Sequence, residues 1–406
     1  MYRSLLVLAL GTFAVGTDSF VVAGVLPEAA AALGVPIGTA GWLITAYAFA
    51  YAVGAPVMAT VTAGWPTRTV FATGFAAFVI GNMATAAAQD VGLAVTARAL
   101  AGLGGAIVTP TAVATAAALA TDATRGRALA TVMGGLSAAT ALGAPLGTFV
   151  GALTGDWRAT MGFVSLLGIA AGVGIVVLLP ATPRPPAVPL VTRLAPVADG
   201  RVGLTLATTL FVYTGLYTVY SFISQSLDRA TGGSGAVLAG LLVVWGVAST
   251  AGTLVSGGLV DRYGNRRVIN TAIAVAAVNF FLLPWTSATL PGAMAALVVW
   301  GLTGWGLLAP QTHRLVTVRP SAAPLLSGLA SATVYVAVSA SGVTGQLGLA
   351  LVGPYRLGVV GAVLIVLGLV TAEAAHRLIS RRTIPRPAPT VDPTLLPADD
   401  TTRGER

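Results

Sequence analysis

The sequence predicts an all-α membrane protein with twelve transmembrane helices arranged as two six-helix pseudo-repeats. Of its 406 residues, 56% are hydrophobic and only 9% are charged, which is too little polar surface for a soluble protein of this length. Apolar stretches of about 20 residues, the length that crosses a bilayer core, recur twelve times along the chain. Membrane strands would instead show strict alternation over about ten residues, a pattern that this sequence lacks.

The first helix starts directly after Met1, Tyr2 and Arg3. Its apolar stretch is too long for the hydrophobic region of a signal peptide, so we interpret it as a retained helix. The chain contains no Cys, which excludes disulfides and thiolate metal sites, and we expect no metal site of any kind. A membrane-embedded enzyme would need converging acids, and an ATP-driven pump would need a Gly-x-x-x-x-Gly-Lys phosphate loop. Neither is present, so we expect no enzymatic activity.

The placement of arginine predicts how the helices are oriented. All 22 basic residues are Arg. If the N-terminus is cytoplasmic, eighteen of them lie on that side, three lie in outer loops, and Arg98 lies within a helix. The positive-inside rule therefore predicts that both termini are cytoplasmic. The net charge of +9 then describes a surface facing anionic lipid, and its spread over many segments argues against nucleic-acid binding.

A Pro-rich interruption divides the apolar sequence into two halves. Pro-rich segments cannot continue a helix and act as semi-rigid spacers. We predict an N-terminal half at 1–179, a cytoplasmic linker at 180–200, a C-terminal half at 201–377 and a disordered cytoplasmic tail at 378–406. Gly104 and Pro110 recur as Gly304 and Pro310, a spacing typical of parallel repeats with a binding site at their interface. We expect a monomer.

A charged segment reading SGGLVDRYGNRR, residues 256–267, interrupts the second half between helices 8 and 9. It resembles the cytoplasmic loop signature of the major facilitator superfamily of secondary transporters, which implies the major facilitator fold and a gating role. The residues that carry the resemblance are Gly257, Leu259, Asp261, Arg262, Gly264, Arg266 and Arg267. The first-half loop departs from the signature, with Ala63 in place of Asp and Pro66 in place of Gly. We therefore expect the charged network to brace the second half alone.

Three further segments narrow the resemblance. Helix 1 reads FAVGTDSFVVAGVLPEAAAALGV from residue 13, helix 4 contains RALAGLGGA from residue 98, and helix 5 continues as GAPLGTFVGALTGDWRATMGF from residue 143. Together they are similar to the twelve-helix drug:proton antiporters, within them the bacterial exporters of the chloramphenicol-resistance and sugar- or nucleoside-efflux kind. This resemblance implies export across a bacterial cytoplasmic membrane, with the proton gradient as energy source and no cofactor. Ala101 replaces a Gln common in the family.

Small residues in helix 5 form the pattern that marks exporters in that family. They are Gly143, Pro145, Gly147 and Gly151. Glycines at this spacing let a neighbouring helix approach closely, and Pro145 bends the segment. The alternative interpretation is ordinary helix packing in a protein with 50 Gly residues.

Two charged residues lie within predicted helices of the first half. At 1.5 Å per residue, Asp18 lies about 20 Å into helix 1, where a carboxylate costs about 3 kcal/mol on insertion scales. It either carries the transported proton or is a structural carboxylate bonded to Thr17 or a neighbouring helix. Arg98 in helix 4 needs a carboxylate, carbonyl groups or water as partners. The resemblance links it either to proton coupling or to core structure.

Aromatic and polar residues on the expected cavity helices are the candidates for substrate binding. They are Tyr47 and Tyr51 on helix 2, Tyr213, Tyr217 and Tyr220 on one face of helix 7 with Gln225 a turn further, Trp245 on helix 8 and Tyr335 on helix 11. The alternative for each is packing between helices or against lipid. No site gathers several charges of one sign, so we expect a small, amphipathic, roughly neutral substrate such as an antibiotic. A sugar, nucleoside or other metabolite is the alternative.

Overall fold

The computed structural model describes residues 2–121, 123–180 and 189–383. Within these ranges, twelve helices are long and apolar enough to cross a bilayer. They are α1 (Tyr2–Gly24), α2 (Ile37–Val61), α3 (Thr67–Ala87), α4 (Val91–Leu119), α5 (Arg125–Thr154), α6 (Trp157–Leu178), α7 (Gly200–Tyr220), α8 (Gly235–Tyr263), α9 (Asn265–Thr286), α10 (Leu290–Val318), α11 (Leu325–Val352) and α12 (Pro354–Ser380). The predicted all-α, twelve-helix fold is confirmed.

Several helices are interrupted where the backbone pattern changes. The last turn of α1, Val22–Gly24, is a 3₁₀ turn. In α5 a π-helical turn at Ala139–Gly143 precedes the segment Ala144–Thr154. Pro145 follows that turn closely, and because it has no N–H it cannot continue the regular hydrogen-bond ladder. A break at Leu307 divides α10 into two segments.

The surface of the bundle is apolar around its whole circumference. Leu254 and Leu351, for example, are 78% and 82% exposed. Water would not tolerate so large a continuous apolar surface, whereas lipid tails do. The interior is instead closed by small residues, which let the helix backbones approach each other. The charged side chains that are buried in the described ranges, Asp18, Arg98 and Arg314, therefore lie between closely packed helices.

The two halves repeat the same packing scheme. In the first half α1 packs on α5 and α6, α2 packs on α4, and α3 packs on α4 and α6. In the second half α7 packs on α11 and α12, α8 packs on α10, and α9 packs on α10 and α12. Each pair of the second half corresponds to the first-half pair six helices earlier. This is the parallel repeat that the sequence predicts.

Two seams join the halves, one between α2 and α11 and one between α5 and α8. Thr45 lies against Gly342 in the first seam, and Gly246 lies against the backbone of Thr140 and Ala141 in the second. Twelve crossings return the described chain to its starting side, here called the terminal face, and the other side is the distal face. Gly235, at the distal end of α8, lies against Ala152. The halves are therefore closed against each other from mid-depth to the distal face.

Two segments differ from the sequence prediction. The charged segment at 256–267 is mostly helical, since α8 runs to Tyr263 and α9 begins at Asn265. Only Gly264 separates the helices, with a positive φ of 80° that glycine adopts without strain. At the other end, the helical conformation continues past the membrane span of α12 to Thr383, beyond the predicted start of the tail at 378. Most of the tail, residues 384–406, and linker residues 181–188 lie outside the described ranges.

Candidate functional site

A buried ion pair joins α1 and α4 inside the first half. The Asp18 carboxylate and the Arg98 guanidinium are 2.5 Å apart, and their side chains are 0% and 1% exposed. Asn82 of α3 completes the cluster: its amide nitrogen donates to the second carboxylate oxygen over 3.0 Å, and its oxygen accepts from Arg98 over 3.1 Å. Three helices are thus joined by charge-assisted hydrogen bonds, which are stronger than neutral ones.

The guanidinium has neutral partners as well. Its Nε donates to the carbonyl oxygen of Leu43 over 3.3 Å, and Nη2 donates to the carbonyl oxygen of Asp18 over 3.5 Å. The group also lies 4.4 Å from the ring centre of Tyr47, within cation–π range. A buried charge without such partners would cost several kcal/mol. Sequence reasoning missed Asn82 and Leu43; an Asn inside an apolar helix was the available signal for the first.

Hydroxyl groups next to the ion pair link the first half to the second. Ser19 lies 3.3 Å from the hydroxyl of Tyr47 and 3.5 Å from that of Tyr335 in α11. The ring of Tyr335 stacks on that of Tyr51, with centroids 3.5 Å apart. The structure thus brings together three of the predicted substrate residues, from two different halves, at one seam beside the ion pair.

The predicted exporter glycines of α5 pack on α1, the helix that carries Asp18. A Cβ added at Gly143 would collide with Thr17, and one at Gly147 would collide with Val21. Gly151 lies against Thr160 of α6 and against Val25, the residue after α1. Close approach of these helices therefore fixes the position of α1. Pro145 lies in the same stretch, directly after the π-helical turn.

The tyrosines of α7 face the interior of the protein and not lipid, being at most 7% exposed. The Tyr213 hydroxyl donates to the carbonyl oxygen of Gly304 over 2.8 Å, and the Tyr220 hydroxyl donates to that of Phe20 over 3.2 Å. The Tyr217 hydroxyl makes no hydrogen bond to any residue that the structure describes. Tyr217 and Tyr220 contact Phe20, two residues beyond Asp18. Phe20, Trp300 and Trp305 were missed because single aromatic residues in apolar helices give no signal.

Trp245 belongs to the same aromatic group, whereas Gln225 does not. The Trp245 ring lies 4.9 Å from that of Tyr220. The expectation that Gln225 lies a turn further along the same helix as these tyrosines was wrong. Because α7 ends at Tyr220, Gln225 lies in the separate short helix Ile223–Ser226 at the distal face. Its side chain forms no hydrogen bond within the described part of the chain, while its backbone N–H donates to the carbonyl oxygen of Phe222.

At the terminal face, the charged segment makes one ion-pair cluster. Arg266 binds Glu373 of α12 through two contacts, the shorter 2.6 Å, and Asn270 and Arg377 bind the same carboxylate. Asp261 is exposed and pairs with none of the described residues. The other residues of the signature are exposed too: Gly257, Leu259, Arg262, Gly264 and Arg267. In the first half, the side chain of Arg68 binds the carbonyl oxygen of Leu179 at the corresponding place.

Comparison with known proteins agrees on one family. A sequence profile described as "Major Facilitator Superfamily" matches residues 8–343. The chain is 30% identical over 320 residues to the uncharacterized MFS-type transporter YbcL of Bacillus subtilis strain 168, covering 79% of this chain and 82% of that protein. It is 30% identical to the inner membrane transport protein YdhP of Escherichia coli strain K12, covering 80% and 83%.

Two further similarities differ in what they support. A chloramphenicol resistance protein of Streptomyces lividans is 33% identical over 262 residues, covering 64% of this chain and 67% of that protein. Among solved structures, a mutant of the nucleoside transporter NupG aligns with a TM-score of 0.71 and 13% identity, covering 92% of this chain and 98% of that one. At so low an identity the second similarity concerns the fold alone.

Proposed function

The chain belongs to the Major Facilitator Superfamily of membrane transporters, and we propose that it exports a small, amphipathic, roughly neutral compound, such as an antibiotic, in exchange for protons. The observation that carries the proposal is the buried pair of Asp18 and Arg98. Similarity to a chloramphenicol resistance protein supports the export of an antibiotic. The transporter works in a bacterial cytoplasmic membrane, with the terminal face and both termini in the cytoplasm.

The ion pair supports proton coupling because its strength depends on one proton. When the Asp18 carboxylate binds a proton, its charge is lost, and Arg98 keeps only the neutral oxygens of Leu43, Asn82 and the Asp18 backbone. The contact that the ion pair makes between α1 and α4 is then weaker. Ser19, the residue after Asp18, contacts Tyr335 of the other half and can transmit the change to the seam.

The seams support alternating access as the mechanism. The halves are closed from mid-depth to the distal face, so release to the outside requires these contacts to separate. The glycines at the seams allow close contact without interlocking side chains, and rigid halves can then rock against each other. The aromatic residues between the halves provide an apolar site with few hydrogen-bonding groups, suited to an amphipathic compound.

The proton gradient is large enough for this task. One proton moving down 100 mV yields about 2.3 kcal/mol, and one pH unit adds about 1.4 kcal/mol. Their sum of about 3.7 kcal/mol would sustain a concentration ratio of roughly 500 for a neutral solute. One proton per substrate molecule therefore suffices.

The decisive test is transport by purified protein in proteoliposomes with an imposed pH gradient. We expect counterflow of protons and chloramphenicol, and no response to ATP. A nucleoside and a sugar in the same assay test the alternative that the chain exports a metabolite. Transport that ignores the pH gradient for every compound would contradict proton coupling, and transport of only the nucleoside or the sugar would replace the substrate class.

Replacing Tyr217 with Phe should change the order in which compounds are exported, while Tyr217→Ala should weaken export of most of them. The hydroxyl is free of described partners and available to a substrate, while the ring contributes most of the contact. Measuring resistance to a panel of compounds in a sensitive host checks this. The exposed Tyr2, changed in the same two ways, is the matched control. Small, uniform effects at Tyr217 would indicate a purely structural ring.

Asp261→Asn should reduce transport more than Ala63→Ser at the corresponding position of the first half. Asp261 is exposed in the closed-distal structure, so its partner is expected in the opposite state, where the terminal face closes. Losing that contact should slow the cycle about tenfold, the cost of a charge-assisted hydrogen bond of about 1.5 kcal/mol. Initial efflux rates of the two variants are compared at equal protein levels. Equal rates would show that the second-half signature has no gating role.

A further inference from the structure

Phe20 lies in an aromatic enclosure formed by the other half of the protein. Its ring stacks on Tyr217 with centroids 6.3 Å apart and meets the rings of Tyr220, Trp245 and Trp305 edge-on at 5.8, 6.3 and 5.9 Å. We call these four residues the cage. They come from α7, α8 and α10, whereas Phe20 belongs to α1. A single side chain of the first half thus fills a site that the second half builds.

The cage has more hydrogen-bonding capacity than Phe20 can use. The indole nitrogen of Trp245 is buried and has no partner among the described residues. The Tyr217 hydroxyl is likewise without a described hydrogen bond. A phenyl ring satisfies neither group, and a buried donor left unpaired costs about 1–3 kcal/mol. A ligand that carries a hydrogen-bond acceptor beside an aromatic ring would stack on the cage rings and accept a hydrogen bond from the Trp245 indole.

The space beside the cage is narrow. A cleft runs along Tyr213, Tyr217, Trp245, Trp300 and Trp305. It is too tight to receive a drug-sized molecule while the Phe20 ring keeps its place. Binding in the cage therefore requires that the ring leaves it.

We propose that the cage is the ring-binding subsite of the transporter and that Phe20 is its internal competitor, which the substrate displaces. The occupant is a planar, uncharged aromatic group with a hydrogen-bond acceptor for the Trp245 indole. Stacked and edge-to-face geometries favour aromatic over saturated rings. The nearby Asp18 is already paired with Arg98 and offers no free carboxylate to a cationic ligand, so the proposed occupant is uncharged.

Displacement of Phe20 also links the cage to the ion pair. Phe20 follows Asp18 by two residues and lies just before the 3₁₀ turn of α1. Its carbonyl oxygen accepts a hydrogen bond from the Tyr220 hydroxyl. Moving the Phe20 ring therefore disturbs the same part of α1 that the Asp18–Arg98 pair holds. Substrate binding and proton binding act on one short segment from opposite sides.

This inference deepens the proposed function and rests on it, but binding at a single pH tests it without any proton gradient. The probes are tritiated N-(2-naphthyl)acetamide and its saturated decalin analogue, which share the amide acceptor and differ in the aromatic ring. Binding to purified protein in nanodiscs is measured against empty nanodiscs. We expect the aromatic probe to bind at least tenfold more tightly than the saturated one. Equal affinities would overturn the proposed ring site.

The variant Phe20→Ala should bind the aromatic probe about threefold to tenfold more tightly. This factor corresponds to the free energy of one aromatic pair, which the probe no longer has to displace. Phe20→Leu should also raise the affinity for the aromatic probe, by a smaller factor. It replaces the Ala variant in this test if that variant does not fold. The exposed Phe49, changed to Ala, is the matched control. Misfolding can only weaken binding, so a gain in affinity is specific. Unchanged or weaker binding in folded Phe20 variants would overturn the competitor role.

Trp245→Phe keeps a ring and removes the indole N–H. It should weaken binding of the amide probe about fivefold and leave 2-ethylnaphthalene, which has no acceptor, unaffected. Equal losses for both compounds would contradict the hydrogen bond. If this binding pattern holds while pH-driven efflux is absent, proton-coupled export fails and the cage stands. If efflux is present and the pattern is absent, the cage fails alone.

Discussion

Replacing Asp18 with Asn should abolish efflux driven by a pH gradient. Asn has nearly the same shape but cannot bind and release a proton, and it leaves the Arg98 guanidinium without a negatively charged partner. The pair is fully buried, and removing one partner of such a pair costs about 3–5 kcal/mol. We therefore expect lower thermal stability as well as lost transport. Both are measured on the purified variant, by melting temperature and by proteoliposome assay.

A second substitution separates the two effects. In the double variant with Asp18→Asn and Arg98→Gln, no unpaired charge remains, and Asn82 can still bond to both neutral side chains. Stability should recover while pH-driven transport stays absent. Asp156→Asn is the matched control, because this exposed residue caps α6 and Asn caps a helix equally well. Normal coupled transport by the Asp18→Asn protein would remove this carboxylate from the mechanism.

Replacing Gly246 with Leu should open the distal face and reduce transport at least tenfold. Gly246 lies directly against the α5 backbone at Thr140 and Ala141, which cannot move aside as a flexible side chain could. Overpacking of this kind costs about 1–3 kcal/mol. Since about 1.4 kcal/mol changes a two-state equilibrium tenfold, the ratio of closed to open protein should fall by about that factor.

Cysteine labelling measures this change directly, because the chain contains no Cys of its own. Thr45→Cys places a thiol in the other seam, where the residue is only 5% exposed. A membrane-impermeant maleimide applied from the distal side should react with it faster in the Gly246→Leu background. Gly240→Leu is the control, since that glycine of the same helix has open space around it. Unchanged labelling with normal transport would show that the α5–α8 seam does not close the distal face.

The sequence by itself determined the membrane fold. A bilayer requires about 20 apolar residues per crossing, and this requirement acts on each segment independently, so the twelve helices and the repeat are readable from local composition. For the same reason Asp18 and Arg98 were each noticeable alone. A charged residue in an apolar helix needs a partner wherever that partner lies. The roles assigned to them remain predictions.

Tertiary structure alone decided which residues meet. The sequence does not indicate that Asn82 joins Asp18 and Arg98, because the three belong to different helices and their pairing depends on how those helices pack. The sequence also does not distinguish Phe20 from the many other apolar residues. Its importance comes from the rings that α7, α8 and α10 bring around it. Even the 256–267 segment, recognised by its charges, was predicted as a loop because charge reports exposure and not backbone conformation. Hydropathy is a property of each residue, whereas a site is a property of distances between helices, and packing alone sets those distances.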